Sequence, residues 1–192
     1  MPNIKSPRLI LASSSPRRAD LLSQIGLTFE IYPSDIEEPS FNGSLSPKSV
    51  TEQLAFMKAK SVAERYTEGV IIGADTLVAL DDELLGKPEN PKHARSILKK
   101  LSGKKHKVVT GVCLINVEHN KKITWNEVTK VYFRELNPLE IEEYVNCGEP
   151  MDKAGAYGIQ GRGAAFVNRI EGCYFNVVGL PLASLIEQLS DF

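Results

Sequence analysis

Residues 70–80 read Val-Ile-Ile-Gly-Ala-Asp-Thr-Leu-Val-Ala-Leu, an apolar run rich in β-branched side chains that carries a single carboxylate. This pattern is typical of a strand that is covered on both faces at the centre of a sheet. An ionised carboxylate buried there is costly unless something compensates its charge. The sequence therefore predicts that Asp75 lies beside a cation of the protein, beside a metal ion, or at the mouth of a cleft where the strand meets water.

Length and composition set the class of protein. The chain has 192 residues and a formal net charge of -1, which suits one α/β domain, or two small lobes, without a global attraction to nucleic acid or to an anionic membrane. Its three cysteines, Cys113, Cys147 and Cys173, have no metal-site spacing and predict reduced thiols. No segment has the ~20 apolar residues of a membrane span, and residues 1–5 lack a signal-type core. We expect a soluble, cytoplasmic protein with no membrane and no nucleic-acid partner.

A short apolar strand at residues 8–12 runs into Ser13-Ser14-Ser15-Pro16-Arg17-Arg18. Serine before a proline at the first helical position predicts a helix that begins here, with the serine hydroxyl as its cap. A helix N-terminus that carries hydroxyls and guanidinium groups is an arrangement suited to binding an anion such as phosphate. Ordinary surface arginines are the alternative, and the spacing alone does not decide between them.

The segment from residue 33 to residue 47 is rich in Ser, Pro and Gly and holds the acidic residues Asp35, Glu37 and Glu38. Acidic residues on such a loop are either solvated or contribute to a magnesium site. A helix is predicted from about Pro47 to Tyr66. Its 3.6-residue period sets one face of six residues, which are Val50, Leu54, Met57, Ser61, Val62 and Arg65. Lys58 lies on the flank of its apolar face and either leans inward or extends to solvent.

After the Asp75 strand, the pair Asp81-Asp82 predicts a turn, and residues 83–88 predict the return arm of a hairpin. In this register Lys87 pairs opposite Thr76, next to Asp75, and is a candidate for the compensating cation. A slip of one residue in the register would turn Lys87 to the other face of the sheet.

The remaining pattern predicts three further helices, a long antiparallel ribbon and a closing strand. The helices begin at Asn90-Pro91, Asn137-Pro138 and Pro181, the ribbon comprises residues 106–118 and 122–135, and residues 166–179 form the closing strand and loop. The three histidines have no spacing typical of metal ligands. Glycine recurs through residues 152–163, a composition that allows the backbone to approach a ligand closely. An ordinary loop is the alternative.

Four motifs, met in order along the chain, resemble those of the Maf family of nucleoside triphosphate pyrophosphatases. They are Ala12–Arg18, Ile72–Thr76, Leu85–Pro88 and Asp152–Gly161. The resemblance implies one α/β domain over residues 1–192, with an elongated, strongly twisted mixed β-sheet flanked by helices, similar to that of inosine triphosphate pyrophosphatases, and with two lobes around a central cleft. It also implies a cytoplasmic house-cleaning enzyme that forms a homodimer.

Within this family, the resemblance is to the branch that hydrolyses dTTP and UTP, because threonine follows the aspartate and the late motif reads Ala-Tyr-Gly-Ile-Gln-Gly. It implies Asp75 as the catalytic residue and Arg17, Thr76 and Gln160 as specificity positions. The phosphate-binding positions that it implies are Ser13, Ser15, Arg18, Lys58, Lys87 and Lys153. Asp75 and Glu37 are the implied ligands of a divalent cation, Mg²⁺ or Mn²⁺.

The expected reaction is cleavage between the α- and β-phosphates by an in-line water, which yields a nucleoside monophosphate and pyrophosphate. Asp75 would hold the metal or deprotonate the water, and the basic side chains would neutralise the charge that spreads over the phosphates. Two alternatives stay open: a 7-methyl-GTP pyrophosphatase, and a regulator of septum formation that binds nucleotide without hydrolysing it.

Overall fold

The computed structural model of the protein describes residues 7–37, 39, 45–81 and 83–192. Its strands are β1 (Leu9–Leu11), β2 (Phe29–Ile31), β3 (Val70–Leu80), β4 (Glu83–Leu85), β5 (Lys105–Asn116), β6 (Lys121–Phe133) and β7 (Val167–Glu171). Its helices are α1 (Pro16–Gln24), α2 (Pro47–Ala63), α3 (Pro91–Leu101), α4 (Pro138–Asn146), α5 (Tyr174–Val178) and α6 (Leu182–Ser190). None of the helices in this part of the chain is long and apolar enough to cross a bilayer.

The strands form one mixed sheet in the order β2-β1-β3-β5-β6-β7, with β4 paired to β3. Strand β1 runs parallel to both β2 and β3, whereas β4 is antiparallel to β3 and β7 is antiparallel to β6. Residues 117–120 join the neighbouring strands β5 and β6, which is the short connection of an antiparallel hairpin. The predicted α/β class and helix-flanked mixed sheet are confirmed. The elongation and strong twist of the sheet stay predictions.

The chain divides into two compact units. The first unit comprises Met1–Asp75, Thr110–Asn126 and Gly179–Phe192, and the second comprises Thr76–Val109 and Glu127–Val178. Strand β3 therefore belongs to the first unit up to Asp75 and to the second unit from Thr76 onward. The predicted cleft stays a prediction.

Helix α2 lies directly on the sheet of the first unit because two strands carry glycine where it crosses them. A Cβ atom added to Gly73 would meet the carbonyl oxygen of Ala55 and come within 2.8 Å of Ala59 Cβ. A Cβ atom added to Gly111 would meet the carbonyl group of Thr51. Only glycine allows this approach of helix backbone to strand, and the contact fixes the height of α2 above β3.

The core of the second unit contains a cluster of aromatic rings. His106 and Tyr157 both contact Phe133 edge to face, and Phe166 contacts Phe133 and Tyr144 in the same way. His106 is 1% exposed, and its Nε2 atom lies 2.8 Å from the Tyr157 hydroxyl. Burial lowers the pKa of His106 to about 4, so the ring is neutral at physiological pH.

Two elements differ from the prediction. Helix α2 ends at Ala63 rather than near Tyr66, because the chain tightens there into a turn with a hydrogen bond from the Tyr66 N–H to the Ala63 carbonyl. Residues 174–178 form a helix rather than a strand. Short apolar runs do not distinguish the two by periodicity, and here the buried amide of Asn176 donates to the Val108 carbonyl from the helical turn.

Candidate active site

Asp75 is paired with a lysine of helix α2. Asp75 is a buried residue, and its Oδ1 atom lies 2.5 Å from Lys58 Nζ. The side chains of Lys58 and Asp75 are only 13% and 10% exposed. Of the compensations predicted for the Asp75 charge, the structure shows a cation of the protein, and the inward orientation of Lys58 is confirmed.

The packing of α2 explains why Lys58 reaches the strand. Ala55 and Ala59 lie against Gly73, two residues before Asp75, so the side chain of Lys58, beside Ala59, extends toward the carboxylate. The glycine inside the apolar strand is the sequence signal for this packing, because a glycine there marks a close approach of another backbone. The helical periodicity of α2 does not contain that signal.

The junction between β1 and α1 is held by the hydroxyl of Ser13. Its buried Oγ atom accepts hydrogen bonds from the Ser15 N–H at 3.2 Å and from Arg18 Nη1 at 3.1 Å. Ser15 is the N-cap of α1 and Pro16 follows it, as predicted, but the Ser15 hydroxyl makes no capping hydrogen bond. The predicted cap is therefore wrong, since the hydroxyl that closes this turn belongs to Ser13.

Arg18 also ties the start of α1 to the chain before α6. Its Nε atom donates to the Gly179 carbonyl at 2.9 Å, while Nη1 donates to Ser13. Arg18 is half-buried, as is its neighbour Arg17. The guanidinium of Arg18 therefore supports the geometry of this junction.

The register of the parallel strands places this junction level with Asp75. Leu11 pairs with Ile72, and the Ala12 N–H donates to the Ile72 carbonyl at 2.8 Å. Continuing that register sets residues 13–14 beside residues 74–75, at the carboxyl end of β1. Ligands of open α/β sheets bind outside the carboxyl ends of parallel strands. The first unit thus gathers Ser13, Ser15, Arg18, Lys58 and Asp75 at one end of β1.

The hairpin of the second unit has the predicted register, with Leu80 opposite Glu83 and Val78 opposite Leu85. Strand β4 nevertheless ends at Leu85, because the Gly86 carbonyl accepts a hydrogen bond from the Gly155 N–H instead. Lys87 is therefore exposed and outside the ladder, and the cation that the structure pairs with Asp75 is Lys58. Asp82 of the predicted turn lies outside the described residues.

The glycine-rich segment packs against this hairpin. A Cβ atom added to Gly155, whose φ is +71°, would come within 2.7 Å of a Val78 methyl group. Lys153 Nζ donates to the Glu149 carbonyl at 2.8 Å and to Asp152 Oδ1 at 2.6 Å. Gln160 is exposed. The second unit thus carries four of the predicted site residues, which are Thr76, Lys87, Lys153 and Gln160.

The acidic residues of the loop after β2 are the other candidate metal ligands besides Asp75. Glu37 is exposed, and Glu38 lies outside the described residues. Across the described ranges, no group of three or more His, Cys, Asp or Glu side chains is placed to hold a metal ion.

A cavity of about 440 Å³ lies in the first unit near the start of β3. Arg8, Gly69, Asn116 and Phe192 are among the residues that line it. Its lining includes none of the predicted site residues, so the cavity is separate from the site at the carboxyl end of β1.

Comparisons with known proteins agree along the length of the chain. A family model described as Maf-like protein matches residues 8–192. The dTTP/UTP pyrophosphatase of Ruminiclostridium cellulolyticum is 50% identical over 186 residues, which are 95% of this chain and 96% of that protein. The dTTP/UTP pyrophosphatase of Carboxydothermus hydrogenoformans is 49% identical over 185 residues, with 96% and 98% covered.

One similar solved structure is the nucleoside-triphosphatase / dITP/XTP pyrophosphatase of Mycobacterium abscessus. Its sequence is 14% identical to this chain, and the two structures match with a TM-score of 0.45 over 67% of this chain and 75% of that protein. That likeness is partial. The family match and the relatives of about 50% identity, in contrast, extend over nearly all of this sequence. They show that the chain belongs to the Maf family.

Proposed function

We propose that this chain hydrolyses dTTP and UTP between the α- and β-phosphates, releasing the nucleoside monophosphate and pyrophosphate. Two relatives of about 50% identity, matched over at least 95% of this chain, are named dTTP/UTP pyrophosphatases. The structural observation that carries the proposal is the buried ion pair between Asp75 and Lys58 at the carboxyl end of β1.

The ion pair supplies the two charges that the reaction requires. Asp75 Oδ1 lies against the Lys58 ammonium, which orients the carboxylate within the sheet. A carboxylate in this position serves as the base that takes a proton from the attacking water. The ammonium beside it offers a positive charge to the phosphate oxygens on which negative charge increases during cleavage.

The start of α1 supports the binding of the triphosphate. A helix N-terminus presents backbone N–H groups and a positive dipole end to an anion. Here that end carries Arg17 and Arg18, and the hydrogen bonds that Ser13 Oγ accepts from the Ser15 N–H and from Arg18 hold the turn in place. We assign phosphate contacts to this turn. The phosphate-binding roles of Lys87 and Lys153 stay predictions.

The residues present fit a divalent cation that is shared with the substrate. Mg²⁺ is commonly held by one or two carboxylates together with phosphate oxygens and water, and Asp75 with Glu37 would supply that protein share. A bound Mg²⁺ or Mn²⁺ would neutralise phosphate charge and lower the pKa of a coordinated water. The task of the chain itself is to hold the Asp75 carboxylate in place through Lys58.

A substrate panel tests the proposal. Purified protein is incubated with dTTP, UTP, CTP and 7-methyl-GTP at one Mg²⁺ concentration, and pyrophosphate, orthophosphate and nucleoside monophosphate are measured. We expect pyrophosphate in equal amount to the monophosphate, with dTTP and UTP turned over fastest. Orthophosphate released stepwise would contradict cleavage between the α- and β-phosphates. Fastest turnover of 7-methyl-GTP would favour a 7-methyl-GTP pyrophosphatase. Nucleotide binding without turnover would favour a regulator that does not hydrolyse nucleotide.

A further inference from the structure

Tyr144 and Glu149 form a polar anchor beneath the glycine-rich segment of the second unit. The Tyr144 hydroxyl, on α4, donates to Glu149 Oε1 at 2.8 Å and accepts from the Gly158 N–H at 3.1 Å. Glu149 Oε2 accepts from the Arg162 N–H at 2.9 Å, and Oε1 accepts from the Gly163 N–H at 3.3 Å. The two side chains thus take part in four hydrogen bonds, and three of these bonds are donated by backbone N–H groups of residues 158–163.

These hydrogen bonds hold the backbone of the segment on both sides of Gln160. Gly158 lies two positions before Gln160, and Arg162 lies two positions after it. Gln160 itself is exposed, while its flanking backbone is attached to the anchor. The placement of the Gln160 amide therefore depends on Tyr144 and Glu149 more than on contacts of its own side chain.

Two glycines of this segment, Gly161 and Gly163, let the backbone pack closely against Glu149 and Tyr144. A Cβ atom added to Gly161 would lie within 2.5 Å of the Glu149 carboxyl carbon, and one added to Gly163 would lie 2.8 Å from the Tyr144 hydroxyl. The backbone consequently wraps the Glu149 carboxylate at van der Waals distance. Larger residues at these positions would displace either the backbone or the carboxylate.

Glu149 is held in its ionised form. Burial raises the pKa of its carboxyl group, but the hydrogen bonds from the Arg162 N–H, the Tyr144 hydroxyl and the Gly163 N–H outweigh this, so the pKa is lowered overall. A carboxylate that accepts several backbone N–H bonds is stabilised in this way. Both oxygens of Glu149 accept hydrogen bonds from the protein itself. In this respect Glu149 differs from Asp75 and Glu37, the carboxylates proposed to act on the substrate.

We propose that Tyr144 and Glu149 are positioning residues for base selection, which hold the backbone on both sides of Gln160 so that its amide meets the pyrimidine ring at a defined place. This inference rests on the proposed function, in which Gln160 is a specificity position. A site built to hydrogen-bond one base discriminates only as well as its polar groups are held. Loosening the anchor should therefore reduce selectivity before it reduces the rate of phosphate cleavage.

The test compares Glu149→Gln and Tyr144→Phe with the wild-type chain on dTTP, UTP and CTP. Glutamine keeps the shape of Glu149 but directs an amide toward N–H donors, and phenylalanine keeps the ring contact with Phe166. We expect KM for dTTP and UTP to rise and the preference over CTP to fall roughly tenfold, with kcat changed much less. Glu140→Gln is the matched control. Like Glu149, Glu140 accepts a backbone N–H, here from Asn137, but it lies in the first turn of α4, where it also pairs with the Arg134 guanidinium.

A double-mutant cycle separates positioning from general destabilisation. Gly161→Ala should lower the dTTP preference in the wild-type background, because its methyl group meets the Glu149 carboxylate. In a Glu149→Ala background that clash is relieved, so the added effect of Gly161→Ala should shrink. Thermal unfolding of every variant, compared with Glu140→Gln, shows whether selectivity moves independently of stability.

The outcomes distinguish the two proposals. A wild-type chain that releases no pyrophosphate overturns the proposed function and this inference with it. A wild-type preference for dTTP and UTP that survives unchanged in Glu149→Gln and Tyr144→Phe overturns the inference alone. An equal loss of activity toward all three nucleotides, in step with the melting temperature, also overturns it, because it assigns the anchor a purely structural role.

Discussion

At the scale of single residues, the buried pair of Lys58 and Asp75 is the feature on which the chemistry depends. The pair resolves the cost of a carboxylate inside an apolar strand, because each charge is compensated where water has little access. The register of β1 and β3 sets the same carboxylate level with the carboxyl end of β1, after which α1 begins with Pro16, Arg17 and Arg18. A buried carboxylate that would only destabilise a purely structural strand is thus, at Asp75, the proposed centre of the reaction.

Removing Lys58 should destabilise the fold as well as impair catalysis. Lys58→Ala leaves the Asp75 carboxylate buried without its ammonium, and we expect a loss of about 3 kcal/mol in the free energy of unfolding, measured by urea denaturation near neutral pH. Lys60→Ala is the control, because Lys60 lies on the same helix and is exposed. Equal stability of the two variants would contradict an energetically coupled pair.

His106 should make stability depend on pH in mildly acidic solution. In the folded protein its pKa is about 4, whereas an unfolded histidine has a pKa near 6.5. Between these values the unfolded chain takes up the proton first, so stability falls as pH decreases from about 6.5 to about 4, by roughly 3 kcal/mol in total. Above that range both states are neutral at His106 and the residue makes no pH-dependent contribution.

Urea denaturation at pH 7 and at pH 4.5 measures this effect. His106→Gln removes the titrating group, so its stability should fall less between the two pH values than that of the wild type. His93→Gln, at an exposed histidine, should keep the wild-type dependence. A wild-type slope in His106→Gln would show that carboxylates alone govern the acid response.

At the scale of elements, the position of α2 is set by Gly73 and Gly111. Residues Thr51, Ala55 and Ala59 bring the helix backbone against these two glycines, and Lys58 reaches Asp75 as a consequence. The apolar face predicted for α2 from its 3.6-residue period was only partly right. Met57 and Arg65 are not buried, whereas Thr51, Ala55 and Ala59 are, because small residues decide which side of a helix can approach a sheet this closely.

A methyl group at Gly111 should therefore push α2 away from the sheet. We expect Gly111→Ala to cost about 3 kcal/mol of stability, since neither the helix backbone nor the strand can yield easily. The control is Gly86→Ala, where an added Cβ would have no neighbour within 4 Å. Thermal unfolding of both variants checks this, and similar melting temperatures would contradict the close contact.

Local rules predicted most elements of the whole molecule. The starts of α1, α3 and α4 were readable because Ser or Asn before Pro is a local signal, and Asn90 and Asn137 do cap their helices through side-chain oxygens. Strand β3 was predicted with its observed bounds from its apolar run. The signals for these elements lie within a few residues of one another.

The contacts that build the site could not be predicted in the same way. The choice of Lys58 over Lys87 as the partner of Asp75 depends on how α2 packs, and the anchor at Glu149 depends on hydrogen bonds to residues 13 and 14 positions later. No periodicity encodes such pairings. The homodimer and the cytoplasmic location that the family resemblance implies stay predictions.

The most direct measurement of the central claim is pyrophosphate release from dTTP by Asp75→Asn. The substitution preserves the size of the side chain and removes the charge that takes the proton. At saturating dTTP and fixed Mg²⁺, we expect turnover to fall by about 10²-fold or more, while Glu30→Gln, at an exposed carboxylate paired with Arg8, keeps the wild-type rate. Turnover of Asp75→Asn near the wild-type rate would contradict the catalytic role of Asp75.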